Sequence, residues 1–193
     1  MIERIVPIVE GHGEVSAVPV LLRRLLVEMK AYVEITKPDR TTRSSLVVKG
    51  GIEFAVQRAA EDAGPSAALL VLIDADDDKV CELGPILTTR AQLARPDRRV
   101  LVSLAHVEFE HWFIAAAESL QGCRRLPSNL ARPANFESIR DGKGWLSKQM
   151  PIGVTYAPIV DQAALTARMD LDLARQHSAS FRRFCTRFRE LLG

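Results

Sequence analysis

Seven carboxylates stand where the chain leaves an apolar run: Glu10 and Glu14, then Asp74, Asp76 and Asp78, then Glu108 and Glu110. Carboxylates brought together repel and raise one another's pKa, a conflict that a bound cation removes. Mg²⁺ and Mn²⁺ prefer hard oxygen ligands, and Mg²⁺ typically takes one or two carboxylates together with water and substrate phosphate. Two such ions about 4 Å apart clamp the attacking and leaving oxygens of a phosphodiester in an in-line displacement. The chemistry suggested is metal-assisted displacement at a phosphodiester. Taken singly, each motif has a plainer reading. Glu-Gly after a strand is an ordinary turn, and an Asp-rich turn is ordinarily a solvated loop, because Asp bonds its own backbone there. Only their joint placement at three strand ends favours a site.

That placement depends on the elements before each acid. Arg4–Val9 is a short β-branched run ended by Glu10-Gly11-His12-Gly13. From Val15, apolar residues at 15, 18, 21, 22, 25, 26 and 29 follow the helical period. Pro19 is compatible with that helix only if it starts within a few residues before it. Val33–Ile35 reads as a second strand, and Lys49-Gly50-Gly51 opens a helix from about Ile52 to Glu61. Leu69–Ile73 is a continuous apolar run, as in a parallel strand covered on both faces. A helix over Leu83–Ala94 leads to a fourth strand, Arg99–Leu104. The order predicts an α/β, doubly wound, mainly parallel four-stranded sheet flanked by helices. With strand order 2-1-3-4, the first and third strands are central neighbours and their acids meet across one crevice beyond the carboxyl ends.

Residues 1–120 would form this core, and 121–193 a loop-rich segment and helical extension packed on it as one structural domain. Glu108–Leu120, Gln162–Ala174 and Ser178–Leu192 read as helices. The last carries Phe181, Phe184, Cys185, Phe188, Leu191 and Leu192 on one stripe, a core-facing pattern.

Glu10-Gly11 after the first strand and Asp74-Ala75-Asp76 after the third resemble the Toprim fold of topoisomerases, bacterial primases and OLD-family nucleases. The wider pattern is similar to a group of small bacterial Toprim-like proteins related to OLD nucleases. It comprises Val9-Glu10-Gly11-His12-Gly13-Glu14, Ile73-Asp74-Ala75-Asp76, Glu108-Phe109-Glu110, Ser147-Lys148, and a tail with Tyr156 and Ser180-Phe181-Arg182-Arg183-Phe184. The resemblance implies that Glu10, Asp74 and Asp76 bind one Mg²⁺ or Mn²⁺ ion. Glu14 and one of Glu108 or Glu110 would complete a second site. In regular helix those two glutamates would point about 200° apart, so one belongs to the preceding loop if both serve. Lys148 would match the lysine that stabilises charge on the phosphate, with Lys143, on a mobile Asp141-Gly142-Lys143-Gly144 loop, as its competitor. Acids and resemblance together point to a metal-dependent nuclease that hydrolyses DNA or RNA by in-line attack of water, and the resemblance also implies a role in mobile-element or antiphage systems and leaves room for a separate ATPase subunit as partner. Neither Tyr32 nor Tyr156 is clearly placed for topoisomerase chemistry.

Other residues divide between chemistry and packing. His12, His106 and His111 could move protons or ligate metal, but local hydrogen bonding is the commoner role. Trp112, Phe109 and Phe113 read as core anchors; Trp145 suits either base stacking or a lid packed on the body. Arg182, Arg183, Arg187 and Arg189, opposite the Phe stripe, are either phosphate contacts or a solvated face.

A formal net charge of +2 does not by itself mark a nucleic-acid binder, and 47% hydrophobic with 26% charged residues is ordinary for a soluble globular protein. No apolar run approaches about 18 residues, and the first residues lack a signal-peptide layout. Cys81, Cys123 and Cys185, scattered and odd in number, argue for reduced thiols in the cytoplasm. Two rivals to a nuclease stand: a non-catalytic Toprim-like interaction module in a larger complex, and a phosphatase on small phosphate esters. The second is disfavoured because the nucleophilic DxD of haloacid dehalogenase-type phosphatases follows the first strand, whereas Asp74-Ala75-Asp76 follows the third.

Overall fold

The computed structural model describes residues 2–193. In chain order these form β1 (Arg4–Val9), α1 (His12–Glu28), β2 (Glu34–Ile35), β3 (Asp39–Arg40), α2 (Arg43–Val47), α3 (Gly51–Ala63), β4 (Ala67–Asp74), α4 (Val80–Ala94) and β5 (Val100–Ala105). There follow α5 (Glu110–Ala115), α6 (Gly142–Gln149), α7 (Pro158–Arg168), α8 (Leu171–His177) and α9 (Ala179–Leu192), with three short 3₁₀ turns between α5 and α6.

The main strands lie in the order β2-β1-β4-β5, all pairs parallel, as expected for a doubly wound sheet. Successive side chains of a strand point to opposite faces, so each central strand feeds two cores. Ile5 and Val9, Leu70 and Leu72, and Leu101 pack with α1, α5, α8 and α9 on one face. Val6 and Ile8, Leu69, Val71 and Ile73, and Val102 pack with α3 and α4 on the other. Val9, the last residue of β1, pairs with Leu72, so β4 runs on for two residues to Asp74, which pairs with Ala105 at the end of β5. Acids just beyond these ends therefore share one rim.

The outer edge of β1 departs from the single strand expected at Val33–Ile35. β2 pairs with the start of β1 (Ile5 with Ile35), and β3 with its end (Ile8 with Asp39). The outer chain thus advances four residues where β1 advances three, and Pro38, which cannot donate to a ladder, lies in the irregular step. This detour delivers Arg40 and Arg43 to the acidic rim.

Four local expectations are corrected. The helix expected over Glu108–Leu120 is only Glu110–Ala115, because Val107 takes a left-handed φ of 58° before it and Ala116 leaves helical geometry after it. The helix expected over Gln162–Ala174 is α7 and α8. Proline opens α7, and Asp170, accepting from the amides of Asp172 and Leu173, caps α8. The stretch Gly142-Lys143-Gly144 is the first turn of α6, not a loop, with Asp141 accepting from the Gly144 amide at 2.6 Å. Pro19 lies well inside α1, which begins at His12, so the carbonyl of Val15 loses its helical donor.

The Phe stripe of α9 is buried as its periodicity predicts. Phe184 stacks on Trp112 with ring centroids 5.3 Å apart, and Trp112 Nε1 donates to Ser180 Oγ.

Candidate metal centre

Glu10 follows directly on β1, and Glu14 lies in the first turn of α1. Helix starts leave amides unsatisfied, and Glu14 Oε2 accepts from the amides of Glu10 and Gly11 at 3.0 and 3.1 Å. Asp74 ends β4; its Oδ1 accepts from the Phe109 amide at 2.7 Å, tying it to the segment after β5. Each of Glu10, Glu14 and Asp74 thereby offers a carboxylate oxygen within 4.8 Å of the others. Glu10 Oε2 is buried and has no hydrogen-bond partner among the described residues. This triad can hold a metal ion.

Its electrostatics are those of a site short of positive charge. Burial raises the pKa of Asp74 well above the usual carboxylate range, and the charges of Glu14, Glu110 and Glu10 push it further. Burial lifts Glu14 to about 7 against the amides of Gly11 and Glu10, which favour its ionised form. Glu10 is raised by burial and by Asp76, with Arg43 and Lys143 opposing. Like charges in a poorly solvated pocket explain all three directions, and all three would be relieved by a cation.

Glu108 and Glu110 converge next to the triad because only Glu110 is helical. Glu108 lies in the preceding turn, where its Oε2 accepts from the amides of Gly142 and Lys143 at 2.7 and 3.2 Å. Glu110 is fully buried; its Oε1 accepts from Tyr156 Oη at 2.9 Å and from Gln162 Nε2 at 3.4 Å. Between them sits Lys143 Nζ, 2.8 Å from Glu108 Oε1 and 3.1 Å from Glu110 Oε2. The contact with Glu110 Oε2 is a charge contact that lacks hydrogen-bond alignment. Burial works against a charged Lys143, yet Glu110, Asp74 and Glu108 outweigh it and hold its pKa above the ordinary lysine value. Gly142 eases this approach: a Cβ there would stand 3.0 Å from Glu108 Oε2 and 3.1 Å from Glu110 Cβ, tighter than an ordinary contact.

A profile of the family described as "Domain of unknown function (DUF4276)" matches residues 9–189. The chain belongs to the DUF4276 family. No curated protein and no solved structure matches it. The DUF4276 match takes in every acidic residue of the site, Lys143 and α9 as far as Arg189.

Asp76 stands at the rim, outside the tight triad. Its backbone is left-handed (φ 51°), its amide donates to the Val107 carbonyl at 2.9 Å, and its half-exposed side chain pairs with Arg43 Nε at 3.3 Å. Arg43 also donates to the carbonyls of Asp74 and Ala75 and pairs with Asp78, so one guanidinium ties down the turn. Arg40 donates to the Glu10 carbonyl at 3.3 Å. Sequence reasoning missed Arg40, Arg43 and Gln162. Nothing in their local sequence marks them, since each arrives through the edge detour or a distant helix.

Of the two lysines considered, Lys143 reaches the acids. Lys148 is exposed, with no ion pair or side-chain hydrogen bond among the described residues. Tyr156 is buried with its hydroxyl on Glu110, while Tyr32 is fully exposed. His111 is a packing histidine: Nδ1 accepts from the Glu108 amide, so Nε2 donates to the Ile139 carbonyl at 2.7 Å, and burial lowers its pKa. His106 meets the Glu137 carbonyl, and His12 lies exposed on the first turn of α1. Trp145 packs against the body.

The arginines of α9 divide. Arg182 donates to the Arg175 carbonyl at the end of α8, and Arg187 to the Val102 carbonyl of edge strand β5. Arg183 is exposed beside the β5 edge. Among the described residues no helix is long and apolar enough to cross a membrane.

Proposed function

We propose that this DUF4276 protein is a divalent-metal-dependent nuclease, hydrolysing DNA or RNA phosphodiesters by in-line attack of water. The observation that carries the reading is the unpartnered, buried Oε2 of Glu10 beside Glu14 and Asp74 at the carboxyl ends of adjacent parallel strands. A buried charged oxygen without a donor is costly, and a cation bound by the triad would satisfy it. When bound, Mg²⁺ or Mn²⁺ supplies a polarised phosphate and an activated water. Glu10, Glu14 and Asp74 would hold the ion, and Asp76 would border it from the rim. Lys143, at the far side of Asp74, would place its ammonium toward charge developing on phosphate oxygens. The Toprim-like pattern of the acids supports the same class, and with it a cytoplasmic role in mobile-element or antiphage defence beside a separate ATPase subunit.

One observation favours a second reading, a non-catalytic Toprim-like interaction module: Lys143 and Arg43 already neutralise part of the acidic set. Incubating the purified chain with single- and double-stranded DNA and RNA in Mg²⁺ or Mn²⁺, next to calorimetric titration of the metals, separates the two. Cleavage that disappears in the Asp74→Asn variant is the expected result. Metal binding without cleavage under any condition would leave the module, and absence of both would overturn the metal centre.

A further inference from the structure

Three carboxylates from two segments, the end of β4 and the turn into α5, converge on one ammonium. Lys143 Nζ lies 2.8 Å from Glu108 Oε1, 3.1 Å from Glu110 Oε2 and 3.8 Å from Asp74 Oδ2. Asp74 also belongs to the triad with Glu10 and Glu14, so triad and ammonium share a carboxylate. A two-ion phosphodiester centre sets two cations about 4 Å apart. Here a charged nitrogen already fills the position beside the triad.

The contact is built in. Glu110 is fully buried, and its other oxygen is oriented by Tyr156 and Gln162. Glu108 is fixed through its second oxygen by the amides of Gly142 and Lys143, so the glutamate that pairs with the ammonium also anchors the helix that carries it. Mg²⁺ binds oxygen at about 2.0–2.1 Å, so an ion liganded by Glu108 and Glu110 would need the space that Nζ fills.

Building on the metal-centre reading above, we propose that Lys143 is the resident second cation of the site, so that the protein takes one divalent ion, held by Glu10, Glu14 and Asp74. The departure from a two-ion centre is specific: Glu108 and Glu110 serve an ammonium. That ammonium provides fixed charge stabilisation with no dependence on a second metal equilibrium.

Mn²⁺ binding to the full chain, by equilibrium dialysis with electron paramagnetic resonance of the same samples, tests this. The wild type should bind one ion with the spectrum of an isolated Mn²⁺. Lys143→Ala should bind two, with the spin coupling of ions sharing a ligand, and Lys143→Arg should bind one. Lys143→Met, which fills the volume without the charge, carries the expectation if the alanine variant does not fold. Glu110→Gln, outside the triad, should weaken the wild-type affinity by no more than the roughly 10–100-fold typical of outer-shell losses, whereas Asp74→Asn should weaken it well beyond that. Two coupled ions in the wild type, or one ion in every Lys143 variant, would overturn the proposal and leave the triad as a metal centre. No bound ion in the wild type would instead remove the triad reading on which it rests.

Discussion

Asp74 and Phe109 are joined by a 2.7 Å hydrogen bond in which the Phe109 amide donates to Asp74 Oδ1. One oxygen of the aspartate is thus spent on holding the segment after β5 to the end of β4, and the other is left for the acidic cluster. Asp74 is both a structural acceptor and a candidate metal ligand, and substitutions should separate the roles. Asn keeps a carbonyl for Phe109 and removes a charge from a crowded, buried site. Asp74→Asn should therefore melt no lower than the wild type without metal, and lose the rise in melting temperature that Mn²⁺ gives the wild type. Asp74→Ala leaves the Phe109 amide without its acceptor, a cost of about 1–3 kcal/mol that relief of repulsion offsets in part. An Asn variant that is strongly destabilised would make Asp74 a purely structural residue.

Stability of the metal-free protein should fall as pH rises through the window set by Glu14. Its pKa is about 7 in the folded chain against an ordinary 4.5. Between those values the folded state binds more protons than the unfolded state, so stability present at low pH is lost as pH increases. At 1.36 kcal/mol per pKa unit the loss is on the order of 3 kcal/mol. Melts in EDTA from pH 5 to pH 8 should show the decline, and Glu14→Gln, which keeps an acceptor for the Glu10 and Gly11 amides, should flatten it. Divalent metal should reverse the trend, because its ligands must be ionised. A rising or flat wild-type profile would contradict the raised pKa.

The basic face of α9 should prove mostly structural. Arg187 meets the Val102 carbonyl of β5 in a part-buried bond, so Arg187→Ala should cost about 1.5–3 kcal/mol as a charged donor, whereas Arg182 meets the end of α8 in solvent and Arg182→Ala should cost about 0–1 kcal/mol. Arg183, exposed, should be neutral for folding. If Arg183 contacts phosphate, Arg183→Ala should reduce the salt dependence of duplex binding by a slope of about one. A salt series in Ca²⁺ measures this, and an unchanged slope and affinity would assign the face to solvent.

Phe184→Ala should cost roughly 3–5 kcal/mol, because its ring fills the space against Trp112. Denaturant unfolding gives the number, and a loss under 1 kcal/mol would mean that α9 is dispensable to the core.

Where local chemistry dictates structure, the sequence was legible. The apolar run Leu69–Ile73 reads as a covered parallel strand, which β4 is, and the Phe spacing of α9 reads as a core-facing stripe, which is buried. Glu10, Glu14 and Asp74 were readable because strand ends in a doubly wound sheet converge by topology. Long-range placement was not. Lys143 and Lys148 differ in sequence only by position on one short helix, and the choice was made by Glu108, some 35 residues earlier, binding the amides at the helix start. Arg43 reaches the aspartate turn because of an edge-strand irregularity around Pro38, which no periodicity announces. The break between α7 and α8 rests on Asp170 as a cap, a signal that competed with an unbroken apolar period.

Binding of a divalent cation by Glu10, Glu14 and Asp74 would be seen outright in a crystal of the protein soaked in Mn²⁺. Anomalous density should show an ion liganded by these three carboxylates, with Lys143 still between Glu108 and Glu110. A triad without density at saturating Mn²⁺, or an ion bound only elsewhere, would mean that these carboxylates are not a metal centre.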